Sequence, residues 1–378
     1  MKQLIYADNA ATTQLNTAAF EAMVPWLLDE YGNASQPYSF ARKPKKALAE
    51  ARAVIADCIN AQPDEIFFTS GGTESNNWAI KGSAFADADK RPMITTAIEH
   101  HAVLQSCASI ARLGYPVAYL MPSSDGVISP EALNGMVSDA TRLVSVIAAN
   151  NEIGAIQPVK ELCETAHSHG ALFHTDAVQA VGHVKIDVQE LGIDMLSASA
   201  HKFNGPKGIG FLYIRKGTQI SAYADGGAQE NRRRAGTENI AAIVGMAAAL
   251  KENCSSMSKI EADVRALELK LIDALRAAQV PFIRNGGRNT LPGLISLSVA
   301  GADGETLLHR MDLAGICLST GSACDSKNTE ISHVLQAINL DTALARGTIR
   351  ISLGKNNTAS DIDAIAAALI DILRRCFY

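Results

Sequence analysis

The sequence predicts an α/β protein: a large domain around a mostly parallel sheet, with a smaller α+β domain in its C-terminal part. Three observations carry that expectation. From about residue 45 to 250, short apolar runs alternate with segments of helical period, as strands and crossover helices of a parallel sheet do. The chain of 378 residues is longer than one typical domain. Beyond Cys254 the alternation gives way to a charged amphipathic segment, two separate apolar runs and a last helical pattern.

In chain order, the apolar runs at 65–69, 92–96, 142–148, 171–174, 195–199 and 210–214 predict strands, most of them bounded by glycine, proline or polar residues. Helical spacing at 44–59, 103–112, 159–169 and 239–252 predicts the helices around them. A separate helix over 258–278 would bridge into the second domain. Strands at 294–299 and 348–352 and a helix over 359–375 complete it.

Hydrophobic residues make up 47% and charged residues 19%, the balance of an ordinary globular chain. A net charge of -5 argues against nucleic acid as a direct partner, and the run Arg232-Arg233-Arg234 is too local to change that. No apolar run approaches the roughly 20 residues of a membrane helix. The first residues lack the apolar core of a signal peptide, so a cytoplasmic protein is expected. The seven cysteines are scattered and odd in number, unlike a disulfide framework. Cys163 and His167 stand four apart without a second ligand pair, so no metal is expected.

Chemistry concentrates at the ends of the predicted strands. Asp176 follows one strand and Lys202 the next. A lysine can hold the aldehyde of pyridoxal 5'-phosphate as a Schiff base, and a carboxylate can pair with its pyridinium nitrogen. Taken singly, the lysine also reads as a solvated loop residue and the aspartate as a turn or helix cap. Thr69-Ser70-Gly71-Gly72-Thr73-Glu74-Ser75 joins a strand to a helix start, which suits a phosphate, or a plain capped turn. His100 follows another strand and could stack on a flat ring and move protons, or cap its helix. Asn151 and Gln179 could flank the ring or serve as turn residues. Arg350 could clamp an amino-acid carboxylate or pair with a structural one. Cys324 stands among Gly, Ser and Ala, a setting for an exposed nucleophile or an incidental surface cysteine.

Several segments, in the same order, resemble the NifS/IscS cysteine desulfurases, fold-type I pyridoxal-phosphate enzymes of aminotransferase class V. They are Ala7-Asp8-Asn9-Ala10-Ala11-Thr12-Thr13, Gly71-Gly72-Thr73-Glu74, Glu99-His100, Asn150-Asn151-Glu152, Asp176 with Gln179, Ser199-Ala200-His201-Lys202, Arg234-Ala235-Gly236-Thr237 and Ser319–Cys324. The Cys324 segment resembles the branch with the longer catalytic loop. The resemblance implies a seven-stranded main sheet, a large domain over 15–255, and a small domain from 1–14 with 256–378. It implies catalytic roles for Lys202, Cys324 and His100. Cofactor contacts would come from Gly72, Thr73, His100, Asn151, Asp176, Gln179, Ser199, His201 and Lys202, with Thr237 reaching the phosphate from the partner subunit of a homodimer. Arg350, with Asn151, would bind the substrate carboxylate. The implied reaction takes sulfur from L-cysteine, leaves alanine and forms a persulfide on Cys324, for delivery to an iron–sulfur scaffold or a tRNA-thiolation relay. A selenocysteine lyase, an aminotransferase and a non-catalytic scaffold are the competing readings.

Two positions depart from the family pattern. Residues 32–38 lack its usual Pro-Ser-Ser-x-His run, and Asn231 stands where a glycine is usual. Asparagine tolerates left-handed backbone best after glycine, so that turn is expected to survive.

Overall fold

A computed structural model describes residues 4–320 and 331–377. Its strands are β1 (Ile5–Tyr6), β2 (Ile66–Thr69), β3 (Met93–Thr96), β4 (Val117–Leu120), β5 (Leu143–Ser145), β6 (Leu172–Asp176), β7 (Met195–Ser199), β8 (Gly210–Ile214), β9 (Phe282–Asn285), β10 (Leu294–Val299), β11 (Ile316–Cys317) and β12 (Thr348–Ser352). Seven form the main sheet, in the order β2-β8-β7-β6-β5-β3-β4. The central pairs from β7 through β4 are parallel, and β8 runs antiparallel to both neighbours. The connection from β7 to β8 is residues 200–209. It is too short for a parallel crossover, so the chain folds back and β8 reverses.

Period-two alternation covers both faces. Phe68, Phe173, Phe211 and Tyr213 enter one core with Ile55, Leu162 and Leu250. Phe67, Met195, Leu212 and Ile214 enter another with Trp78, Ile80 and Ile110. Each such side chain contributes about 1.5–3 kcal/mol on burial. A further core gathers Ala7, Val264, Leu271, Leu297, Ile349, Ile365 and Leu369 beside the antiparallel sheet β12-β10-β9. There β1 pairs in parallel with β11, bringing residues near the N-terminus against the segment that leads toward Cys324.

One expectation is corrected. The helices expected at 239–252 and 258–278 are a single helix, Ile240–Ala277. The intervening Asn253-Cys254-Ser255-Ser256-Met257 holds no glycine or proline, so nothing breaks the hydrogen-bond ladder. Its buried residues pass from the first core, through Met246 and Leu250, to the third, through Val264, Leu271 and Leu275.

Candidate active site

The carboxyl ends of β2, β3, β5, β6 and β7 meet along one edge of the sheet, where ligands of open α/β folds bind. A cavity of about 500 Å³ opens there. Gly72, Thr73, His100, Asn151, Asp176, Gln179, Ser199, His201, Lys202 and Arg350 all line it.

Lys202 ends the short helical turn Ala200–Lys202 directly after β7. Its Nζ donates to Ala10 O at 2.6 Å and Ala11 O at 2.8 Å. Gln179 Nε2 donates to the same Ala10 carbonyl at 2.9 Å, and His201 Nδ1 meets Thr12 Oγ1 at 3.1 Å. The N-terminal Ala-Ala-Thr is therefore a floor of oxygens that orients the lysine. Asp176, at the end of β6, is buried. Its Oδ2 accepts from Asn76 Nδ2 at 2.6 Å and its Oδ1 from Val178 N at 3.0 Å. Charge-assisted bonds of this kind fix a carboxylate's direction.

The glycine loop needs its glycines. Gly71 has φ 147°, outside the range of L side chains, and a Cβ there would stand 3.4 Å from Ser199 Oγ. A Cβ on Gly72 would meet Val178 Cγ2 at 2.5 Å. The helix Gly72–Phe85 starts here, so its first N–H groups, Thr73 and Ser199 surround an anion-sized space. Glu74 accepts from Arg234 Nε at 2.8 Å and from Ser70 N. Burial raises its carboxyl, but the bonds from Arg234 and Ser70 outweigh burial and hold it below the usual value.

His100 caps the helix His101–Arg112, its Nδ1 accepting from Ala102 N at 3.0 Å. The capping ring also lines the cavity. Burial first, then the charges of Lys202, His101 and His333, lower its pKa against the pull of Asp176. His201 is pushed down to about 4 by burial, Lys202 and Lys207. Arg350 is buried and pairs with a structural carboxylate: Nη2 meets Asp8 Oδ1 at 2.8 Å, and Nη1 donates to Asn151 O at 2.8 Å. Its backbone also pairs with Ser319, N to O at 2.6 and 3.0 Å.

One predicted residue falls elsewhere. Thr237 lines a separate cavity of about 160 Å³ behind the glycine loop, with Ser70, Gly208 and Arg234. Cys324 lies outside the described residues. Sequence reasoning missed Asn76, Asp8, Glu152, His101 and His333. The rings of His101 and His333 stand 4.9 Å apart, and Glu152 accepts from Ser332 Oγ beside them. Asn76 gave no signal, since it stands in the polar run Thr73-Glu74-Ser75-Asn76-Asn77. Asn231 has φ 55°, the left-handed backbone expected of it, and Glu230 and Arg232 share that conformation.

Residues 5–365 match the aminotransferase class-V family, and the chain belongs to it. The cysteine desulfurase IscS of Dictyoglomus turgidum is 46% identical over 377 residues, covering 99% of this chain and 95% of that protein. A solved NifS-like protein superposes with a TM-score of 0.93 at 36% identity, over 99% of this chain and 100% of its own. The solved structure of SspA in complex with cysteine gives 0.83 at 35% identity, over 94% and 100%. The likeness to NifS/IscS cysteine desulfurases thus runs along nearly the whole chain.

Enzymes of this kind depend on pyridoxal phosphate. The residues fit that group: an amine on an oxygen floor, a buried carboxylate lining the same cavity, and a helix start behind Gly71, whose φ of 147° L side chains rarely adopt.

Proposed function

We propose that this chain is a cysteine desulfurase that moves sulfur from L-cysteine to Cys324 and releases alanine. The observation that carries the reading is the pairing of Ser319 with Arg350. It fastens the chain just before Cys324 to the strand whose arginine lines the cavity holding Lys202 and Asp176. In this reading the cofactor, when bound, supplies an electron sink for the substrate's α-carbon.

The protein's own groups do the rest. Lys202 would hold the cofactor's aldehyde and later move the α-proton at Nζ. Asp176, kept in place by Asn76 and Val178, would hold the ring nitrogen. His100 would stack on the ring as a neutral imidazole, consistent with its lowered pKa. Gly72, Thr73, Ser199 and His201 would take the phosphate, and Thr237 would complete that site across a homodimer. Arg350 and Asn151 would receive the substrate carboxylate, Asp8 fixing the guanidinium plane. Cys324 as thiolate would attack the substrate sulfur, and the persulfide would pass to a protein acceptor such as an iron–sulfur scaffold. The third core and the β1–β11 pair support residues 1–14 and 256–378 as the part that carries Cys324, with 15–255 as the cofactor-binding part. Among the described residues no helix is long and apolar enough to cross a membrane.

The test is product release from L-cysteine with a reductant. Equimolar alanine and sulfide from the native chain, abolished in Cys324→Ala, are expected. Undiminished sulfide release in Cys324→Ala would instead mean a lyase acting without a persulfide.

A further inference from the structure

Cys58 and Cys254 stand apart from the cavity and have no part in the proposed reaction. Cys58 ends the helix Arg42–Cys58, and Cys254 sits in the long helix packed along it. Both are half-buried free thiols. They line one small cavity of about 170 Å³ together with Met257 and Lys185. The two thiols also perturb each other's ionisation, Cys58 being raised and Cys254 lowered. The other described cysteines lack such a neighbour: Cys163, for instance, donates to Gly192 O at 3.1 Å.

We propose that Cys58 and Cys254 form a dithiol site that low-molecular-weight disulfides oxidise to an intramolecular disulfide, clamping the helix Arg42–Cys58 to the long helix. The bond would fasten the long helix where its buried face passes from Leu250 in the first core to Val264 in the third.

The order of attack follows from the pair's electrostatics. The neighbouring Cys58 lowers the Cys254 thiol against the opposing effect of burial. Cys254, with burial and Asp57, holds Cys58 up as the thiol. Cys254 thiolate therefore attacks one sulfur of the disulfide RSSR, forming a mixed disulfide and expelling RS⁻. Cys58 then loses its proton to solvent and attacks the Cys254 sulfur, expelling the second RS⁻. The two protein thiols are oxidised by two electrons, and one RSSR becomes two RSH.

The test treats the holoenzyme with oxidised glutathione and maps its peptides without reduction. A linked pair of peptides containing Cys58 and Cys254 is expected at close to one per chain, with a mass loss of about 2 Da from the lost hydrogens. The Cys324→Ala protein should form the same link, which separates this site from the desulfurase reading. Cys58→Ser should keep its desulfurase activity and stop at a glutathione adduct on Cys254. The thermal midpoint should rise on oxidation of the native chain and not of Cys58→Ser. Absence of the 58–254 link from native protein, or adducts on both cysteines without a link, would overturn the proposal.

Discussion

At the scale of single residues, Glu99 is the most informative side chain the reaction does not touch. It is fully buried, and its Oε1 accepts from Ile147 N at 2.8 Å and Thr96 Oγ1 at 2.9 Å. Burial, reinforced by Asp176 and opposed by those bonds, pushes its pKa up to about 8. A carboxyl raised in the folded state binds its proton more tightly there than in the unfolded chain. Its contribution is thus full below about pH 4.5 and lost as pH rises toward 8. Glu99→Gln keeps an oxygen for Ile147 and removes the charge. It should stabilise the protein by about 2–4 kcal/mol at pH 8 and by little at pH 5, read by urea unfolding at both. Equal effects at the two pH values would refute the raised pKa. Asp176→Asn probes the site directly: loss of the fixed charge should slow desulfuration by about 100-fold or more while the fold persists. Near-native turnover in that variant would remove Asp176 from its role. The motif residues were legible because their types are restricted by chemistry. Asn76 and Asp8 were not, since an amide in a helix and an aspartate near a terminus carry no such restriction until the fold brings them to Asp176 and Arg350.

At the scale of elements, the run Glu230–Arg232 stores strain, with φ of 43°, 55° and 63°. Left-handed backbone costs roughly 1–2 kcal/mol per ordinary residue. Something must hold it, and Glu230 does: its carboxylate takes Arg52 Nη1 and Nη2 at 2.8 and 2.6 Å and Phe68 N at 2.9 Å. Glu230→Ala should therefore cost about 3–5 kcal/mol, since it leaves Arg52 without its carboxylate and frees the run. A loss below about 1 kcal/mol would show that the run needs no clamp. Gly210 is a second such point, for a Cβ there would lie 2.4 Å from Ala198 O and 2.8 Å from Gly71 Cα. Neither neighbour is a side chain that can yield, so Gly210→Ala should weaken the folded state and phosphate retention together. The strands at 195–199, 210–214, 294–299 and 348–352 were readable to the residue because burial on both faces makes their runs continuous. Val117–Leu120 was not, because an edge strand with Tyr119 outward lacks that signature. The long helix was split in two because its middle changes environment, and pattern reading follows environment rather than the backbone.

At the scale of the whole molecule, acid stability is set by histidines gathered near the carboxyl edge of the sheet. His174, bonded to Ser145 Oγ at 2.8 Å and Ser197 Oγ at 3.0 Å, is held down to about 3 by burial. His183, bonded to Lys202 O, is lowered by burial despite that bond, and His100 and His201 are lowered as well. A histidine depressed in the folded state binds its proton less tightly there than in the unfolded chain. Its contribution is full above the unfolded value of about 6.5 and is lost as pH falls toward the folded value. Glu99 acts with the opposite sign between about 4.5 and 8. Buried Glu152 is raised as well, so four histidines outweigh two glutamates below about pH 6.5, and the glutamates remain above it. Stability of the apoenzyme should therefore peak near pH 6.5–7 and fall on both sides, more steeply toward acid. His174→Gln removes one of the four without a charge in either state. It should reduce the acid-side slope by about 1.4 kcal/mol per pH unit between roughly pH 4 and 6, the slope of one proton. An unchanged slope would mean that His174 is protonated in the folded protein, and that the two serines around it hold an imidazolium rather than a neutral ring.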